Sequence, residues 1–248
     1  MKLTRALLIP VIAALLWIIV TELHLVSELF LPGPFAVIRS LFSLVVTGNV
    51  ISDLLLTVGR VFVGFFSAVL IGVPVGAVMG LSNGVRKLME PSIDVLRSIP
   101  TTAMLPLFML LLGIGDKSIV ALVAVPCLWT MIMNTMYGVA NGSKARRDIA
   151  RLYRASRLQT LVYVVIPDSL PFVVAGLRLG MALALHMAIA AEMIAGARVG
   201  LGRRLFDAEM LLRVPEMYAL LLITGALGYT LNRGLVAFER AVVHWSGR

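Results

Sequence analysis

Residues 144–178 read KARRDIARLYRASRLQTLVYVVIPDSLPFVVAGLR. The stretch opens with a cluster of basic residues and closes in an apolar run. In its first half Arg147, Arg151, Arg154 and Leu158 recur at spacings of 4, 3 and 4, which is one helical face. Ala145, Ile149, Leu152 and Ser156 share another face, with Tyr153 beside it. Residues 144–161 therefore predict a short basic amphipathic helix. Pro167 and Pro171 are expected to stop it and let the chain turn back into an apolar segment. Two readings fit such a helix: attraction to anionic lipid, or docking of a cytoplasmic partner.

What flanks this stretch decides the fold. Of 248 residues, 60% are hydrophobic and 14% charged, whereas a soluble domain carries roughly 45–50% and about 25%. Mean hydropathy is +0.98. A disordered chain is excluded by this balance, and so is a soluble enzyme of ordinary build. Apolar runs occur at 6–20, 54–81, 101–112, 119–139, 171–195 and 218–236, near the length of about 20 residues that crosses a bilayer. The run at 101–112 is short, with Pro100 before it and Pro106 inside, and reads as a broken or partly re-entrant span. Residues 35–46 follow the breaker Leu31-Pro32-Gly33-Pro34 and read as an interfacial helix. The expectation is an all-α polytopic membrane protein of about six transmembrane helices. It forms one transmembrane domain over 1–248, with the segment at 144–161 on one side.

The net charge of +9 comes from 22 Lys and Arg against 13 Asp and Glu. In a membrane chain it reports orientation rather than nucleic-acid binding. With both termini inside, the cytoplasmic stretches hold 15 of the 22 basic residues. The other seven are Arg39, Arg60, Lys117, Arg198, Arg203, Arg204 and Arg213. Four of these crowd the last outer loop, partly offset by Asp207, Glu209 and Glu216.

Within the span at 54–81, Gly64, Ala68, Gly72, Gly76 and Gly80 repeat every four residues, a stripe that lets another helix backbone approach closely. Pro74 in the same run is positioned to bend the helix. Cys127, the single cysteine, excludes an intrachain disulfide and reads as a small buried hydrophobe. Glu192 lies inside an apolar run, about 6 Å from its outer end by helical rise. An intramembrane carboxylate is costly and points to function, while local pairing is the alternative. Glu192, His186 and Asn134 are the candidates for the solute path. His186 and Glu192, six residues apart, point to different faces of one helix and make no shared metal or acid–base site. No HExxH is present, His24, His186 and His244 lie far apart, and no metal site is expected. Residues 113–118, GIGDKS, lack the adjacent Gly-Lys of a phosphate loop, so any ATP hydrolysis belongs to another chain. No nucleophile–base pair stands at useful spacing, and the chain is not expected to be an enzyme.

The stretch quoted above resembles the cytoplasmic motif of ABC-transporter permeases from binding-protein-dependent importers. Their nitrate/sulfonate/taurine group writes it EAARxLGASRWQxxxxVxLPxxLPxxxxGLR. Matching positions include Ala150, Arg151, Ala155, Ser156, Arg157, Gln159, Pro167, Leu170, Pro171, Gly176, Leu177 and Arg178. Asp148 stands for Glu, Ile149 for Ala, and Arg154 for the Gly, where the resemblance implies close packing. Further stretches match in order: Leu31-Pro32-Gly33-Pro34, Arg97-Ser98-Ile99-Pro100, Leu112-Gly113-Ile114-Gly115-Asp116, Asn134-Thr135, Gly138-Val139, Ala191-Glu192-Met193 and Gly200-Leu201-Gly202. The resemblance implies a type I importer permease fold (MetI-like) in a bacterial cytoplasmic (inner) membrane. Two copies, or two related chains, would form the path. An extracytoplasmic solute-binding protein would deliver a small solute such as a sulfonate or nitrate. ATPase subunits carrying ATP and Mg would dock on Asp148, Ala150, Arg151, Arg154, Ala155, Ser156 and Arg157. The chain itself would hold no cofactor, and membrane lipids would surround it. The rival is a secondary transporter or channel, driven by an ion gradient without an ATPase. An intramembrane enzyme or a scaffold without flux are weaker alternatives.

Overall fold

A computed structural model describes residues 2–47 and 50–243. Among these residues every regular element is helical. In chain order they are α1 (Lys2–Glu22), α2 (Pro34–Thr47), α3 (Val50–Leu81), α4 (Asn83–Arg97), α5 (Leu105–Leu112) and α6 (Asp116–Ala140). There follow α7 (Lys144–Leu152), α8 (Arg157–Thr160), α9 (Ile166–Ile194), α10 (Leu201–Met210) and α11 (Val214–Val242). A 3-10 turn, Thr101–Met104, precedes α5, and a π turn, Leu161–Val165, joins α8 to α9.

Among the described residues four helices are long and apolar enough to cross a membrane: α3, α6, the continuous rod Arg157–Ile194, and α11. A bent pair, Asn83–Arg97 with Thr101–Leu112, passes the same test taken together and is folded by 83° at residues 98–100, as a broken span or a re-entrant loop is. Pro100 removes a backbone donor there and disfavours helix for the residue before it, so the break falls where the sequence places it. In the described part of α1, Leu8–Glu22 is apolar but shorter than the other spans. Of the six expected spans, four are long enough among the described residues, the one at 101–112 is the second arm of the bent pair, and the first falls in α1.

The core is built where α3 meets α6. A Cβ placed on Gly64 would stand 2.6 Å from Val123 Cγ1, on Gly72 2.7 Å from Met131 Cβ, and on Gly80 2.6 Å from Val139 Cβ. On Gly76 it would lie 2.4 Å from the Ile132 carbonyl oxygen. The missing side chains let the two backbones touch over four turns, with Ala68 buried between them. Then α9 closes the third side through Gly138, against Phe172, and Gly176, against Asn134. Cys127 is fully buried in this core and its Sγ donates to the Gly180 carbonyl at 3.1 Å.

Two expectations about residues 144–171 are corrected. Pro167 and Pro171 do not stop a helix; the rod runs through both from Arg157 to Ile194. The i→i−4 ladder is already loosened by the π turn before them, and Pro167 sits in the first turn of α9, where its absent donor costs least. Residues 144–161 are also not one helix. The chain breaks at residues 153–156, because Arg154 takes a left-handed conformation, φ 54°. There the Ala155 N–H bonds the Ala150 carbonyl and the Arg154 N–H bonds the Arg151 carbonyl, both at 2.9 Å. This pair is the Schellman motif, usually closed by glycine. Arg154 therefore stands where a positive φ is required, and its side chain is exposed rather than closely packed. Replacing Arg154 by Gly should remove the Cβ strain and stabilise this turn by about 1 kcal/mol. Thermal denaturation of the purified wild-type and Arg154→Gly chains checks the sign.

Candidate functional site: the α7–α8 segment and a charge network at the far ends of the spans

The segment between α6 and α9 is assembled from local caps. Ser143 caps α7 by accepting the Arg146 N–H, and Ser156 starts α8 with a capping box completed by Gln159. Ala150 is buried beneath α7, and Ala155 is half-buried at the turn. Around them large apolar side chains face outward: Leu152 is 82% exposed and Tyr153 84%, with Ile149 and Leu158 nearby. Basic side chains rim this surface. Arg154 and Arg157 are exposed, and Arg151 is paired at 3.3 Å with exposed Asp148. Arg147 leaves the face the periodicity gave it, because its guanidinium donates to the Val139 carbonyl at the end of α6. A cation there satisfies a helix terminus that lacks an intrahelical donor.

At the opposite ends of α3, α6 and α9 lies a buried charge network. Glu192 is fully buried. Its carboxylate accepts the Arg60 Nη1–H at 2.6 Å, the Thr57 hydroxyl at 2.9 Å and the Gly202 N–H at 2.9 Å. Arg60 also donates to Asp116 at 2.6 Å and to the Val199 carbonyl at 2.8 Å. Asp53 accepts the Gly200 N–H at 3.0 Å and the Arg204 Nε–H at 2.6 Å, while the Leu201 N–H donates to Thr57 at 2.9 Å. Three consecutive N–H groups at the start of α10 are thus satisfied by side chains of α3 and α9. The glycines are required for this closeness: a Cβ on Gly202 would lie 2.3 Å from the Ile189 carbonyl, and one on Gly200 2.6 Å from the Glu192 carboxyl. The motif pair Ala191-Glu192-Met193 and Gly200-Leu201-Gly202 is one lock. With its carboxylate fully engaged in this conformation, Glu192 shows the local pairing that stood as the alternative to a path role.

Three of the four arginines between α9 and α11 have acidic partners as well. Arg204 meets Asp53, Arg203 meets Asp207 at 2.9 Å, and Arg213 meets Glu216 at 3.3 Å. Their charge is offset where it stands, and Asp53, absent from the expected list of offsets, is the partner of Arg204. One signal for this network was legible. Asp53, Thr57 and Arg60 lie at spacings of 4 and 3 and continue the Gly64–Gly80 stripe into the first turns of α3.

Asn134 and His186 do not meet. Asn134 lies over Gly176 and lines a cavity of about 520 Å³ with Arg97, Ser98, Thr101, Thr130 and Leu183, opening at the break of the bent pair. His186 is exposed in a different cavity of about 520 Å³ between α9 and α11, with Arg178, Leu185, Thr224 and Asn232. No cluster of three or more His, Cys, Asp or Glu able to hold a metal ion occurs among the described residues.

Comparison with known proteins sets this geometry in a family. Residues 68–244 match the model of the binding-protein-dependent transport system inner membrane component. The chain belongs to that family. The permease is 34% identical over 236 residues to the taurine transport system permease protein of Escherichia coli (strain K12), covering 93% of this chain and 86% of that one. It is 25% identical over 241 residues to the putative aliphatic sulfonates transport permease protein of Bacillus subtilis (strain 168), covering 97% and 87%. It is 30% identical over 184 residues to the nitrate import permease protein of Synechocystis sp., covering 74% and 66%. Its fold is that of a chain in inward-facing structures of the MetNI methionine ABC transporter, with a TM-score of 0.69 at 19% identity over 78% of this chain and 95% of that one. The permease is a helical membrane protein of the ABC importer type, and the motif-bearing segment is its α7–α8 connection.

Proposed function

We propose that this permease is the membrane subunit of an ATP-driven importer for a small anion of the sulfonate or nitrate kind. A solute-binding protein delivers the solute on the side of α10, and the path is completed by a second copy or a related permease. The α7–α8 segment lies in the cytoplasm with both chain termini, in a bacterial inner membrane. The ATPase is a separate chain that binds ATP and Mg and docks on Ala150, Arg151, Ala155 and their neighbours. The cavity beside Asn134 is the portion of the path this chain contributes on the inner side.

The observation that carries this reading is the exposed apolar surface on the coupling segment. Leu152 and Tyr153 are more than four-fifths exposed, with Ile149 and Leu158 also exposed, on a segment rich in basic residues. An apolar patch rimmed by charge marks a partner surface. The 15 to 7 distribution of basic residues and the names of the relatives support the side and the solute class.

Ala155→Glu tests the docking. In membranes that also carry the cognate ATPase and binding protein, uptake and solute-stimulated ATP hydrolysis should each fall by about ten-fold or more, the scale of a lost interface hot spot. The amount of chain in the membrane should not change. If Ala155→Glu keeps full activity while Arg151→Gln with Arg157→Gln loses it, the segment is a lipid-binding helix. Uptake by the purified chain alone, driven by an ion gradient, would identify a secondary transporter instead.

A further inference from the structure

The α7 helix is held between two weak joints. On one side the turn Asn141–Ser143 leads out of α6; on the other the left-handed turn at Arg154 leads into α8. Along α7 itself only Ala150 is buried. Such a helix would swing on its joints when a partner pushed it, and the push would not reach the spans.

One side chain removes that freedom. Asp168 stands in the first turn of α9, with its side chain only 4% exposed. Its Oδ2 accepts the Ser143 N–H at 3.0 Å, and its Oδ1 accepts the Arg146 guanidinium. The chain passes close by: a Cβ on Gly142 would lie 3.4 Å from Asp168 Cβ and 2.9 Å from Arg147 Nη2. Arg147 in turn bonds the last turn of α6. The Asp168 carboxylate thus joins the start of α7 to the start of α9, and Arg147 beside it ties α7 to the end of α6.

We propose that Asp168 is a positioning residue for transport: it makes α7 and α9 move as one body, so that force applied at the coupling segment reaches the span. Arg146 itself is 63% exposed, so the rigidity lies at the carboxylate end: the Asp168 side chain is 4% exposed and holds both its partners through charge-assisted bonds. The adjacent backbone bond from Ser143 fixes the direction of the strut. In the sequence Asp168 sits between Pro167 and Pro171, in a first turn that faces the entering chain, and no periodicity marks its partner 22 residues earlier. The inference rests on the importer reading given above and adds to it the residue that transmits the motion.

The test is the coupling ratio, ATP hydrolysed per solute moved, in proteoliposomes holding the permease, its ATPase and its binding protein. Asp168→Ala and Arg146→Ala should each raise that ratio by about five-fold or more, within the range of measured couplings between sites. The ATPase should stay bound, as co-purification shows. Asp168→Glu should fall between wild type and Asp168→Ala. The exchange Arg146→Asp with Asp168→Arg should restore part of the coupling. A purely structural role lowers uptake and hydrolysis together and leaves the ratio unchanged, and that result, like normal coupling in both alanine variants, overturns the proposal. A wild-type complex without ATP-dependent uptake overturns the importer reading, and this inference with it. An unchanged ratio in a transporting complex overturns the inference alone.

Discussion

Glu192→Ala should cost about 3–5 kcal/mol of folding stability, the loss expected when one partner of a buried ion pair is removed. The cause is what the substitution leaves behind. Arg60 is 8% exposed and would keep Asp116, itself 70% exposed at the rim, but lose its buried partner. Thr57 and the Gly202 N–H would lose an acceptor at once. The first turns of α3, the end of α9 and the start of α10 would come apart together. Glu192→Gln keeps the shape and one acceptor oxygen, and should cost clearly less. Thermal denaturation in detergent, read by size-exclusion recovery of the folded chain, ranks the variants. If Glu192→Ala melted with wild type, the network would not be holding these helix ends together, and the role in the solute path would be favoured.

The second large effect is expected at the α3–α6 contact. Gly76→Ala puts a methyl group 2.4 Å from the Ile132 carbonyl and 2.9 Å from Thr135 Cβ. Neither can yield, since one is backbone and the other lies within the same packed helix. Overpacking of this kind costs about 1–3 kcal/mol for one methyl, and more for Gly76→Leu. Gly59 is the internal control. It sits on the same helix with nothing within 4 Å of its Cβ position. Gly59→Ala should therefore be neutral or stabilising by up to about 1 kcal/mol, through helix propensity alone. Equal melting temperatures for Gly59→Ala and Gly76→Ala would show that the stripe is not a packing surface.

The α7–α8 segment and the Glu192 lock differ in how far a sequence can reveal them. Residues 144–161 announced themselves by composition, a basic stretch among apolar runs. Their conformation did not, because a helix of nine residues followed by a left-handed arginine has the same periodicity as one longer helix. The match of Arg154 to a glycine position was readable as a letter. That the position serves φ rather than close packing emerged only from the backbone bonds of the turn.

The sequence by itself determined the class of the fold, the approximate spans, the break at Pro100 and the face on which α3 packs. Each of these follows from local chemistry: apolar length, a missing backbone donor, and small residues at a fixed helical spacing. Tertiary structure alone decided the partners. Glu192 pairs with Arg60 across 132 positions, Arg204 with Asp53 across 151, and Asp168 with Arg146 across 22. A carboxylate in an apolar run looks the same in one dimension whether it faces solute or an arginine. Only the approach of α3, α9 and α10, which depends on glycines on three separate segments at once, fixes which of the two it meets.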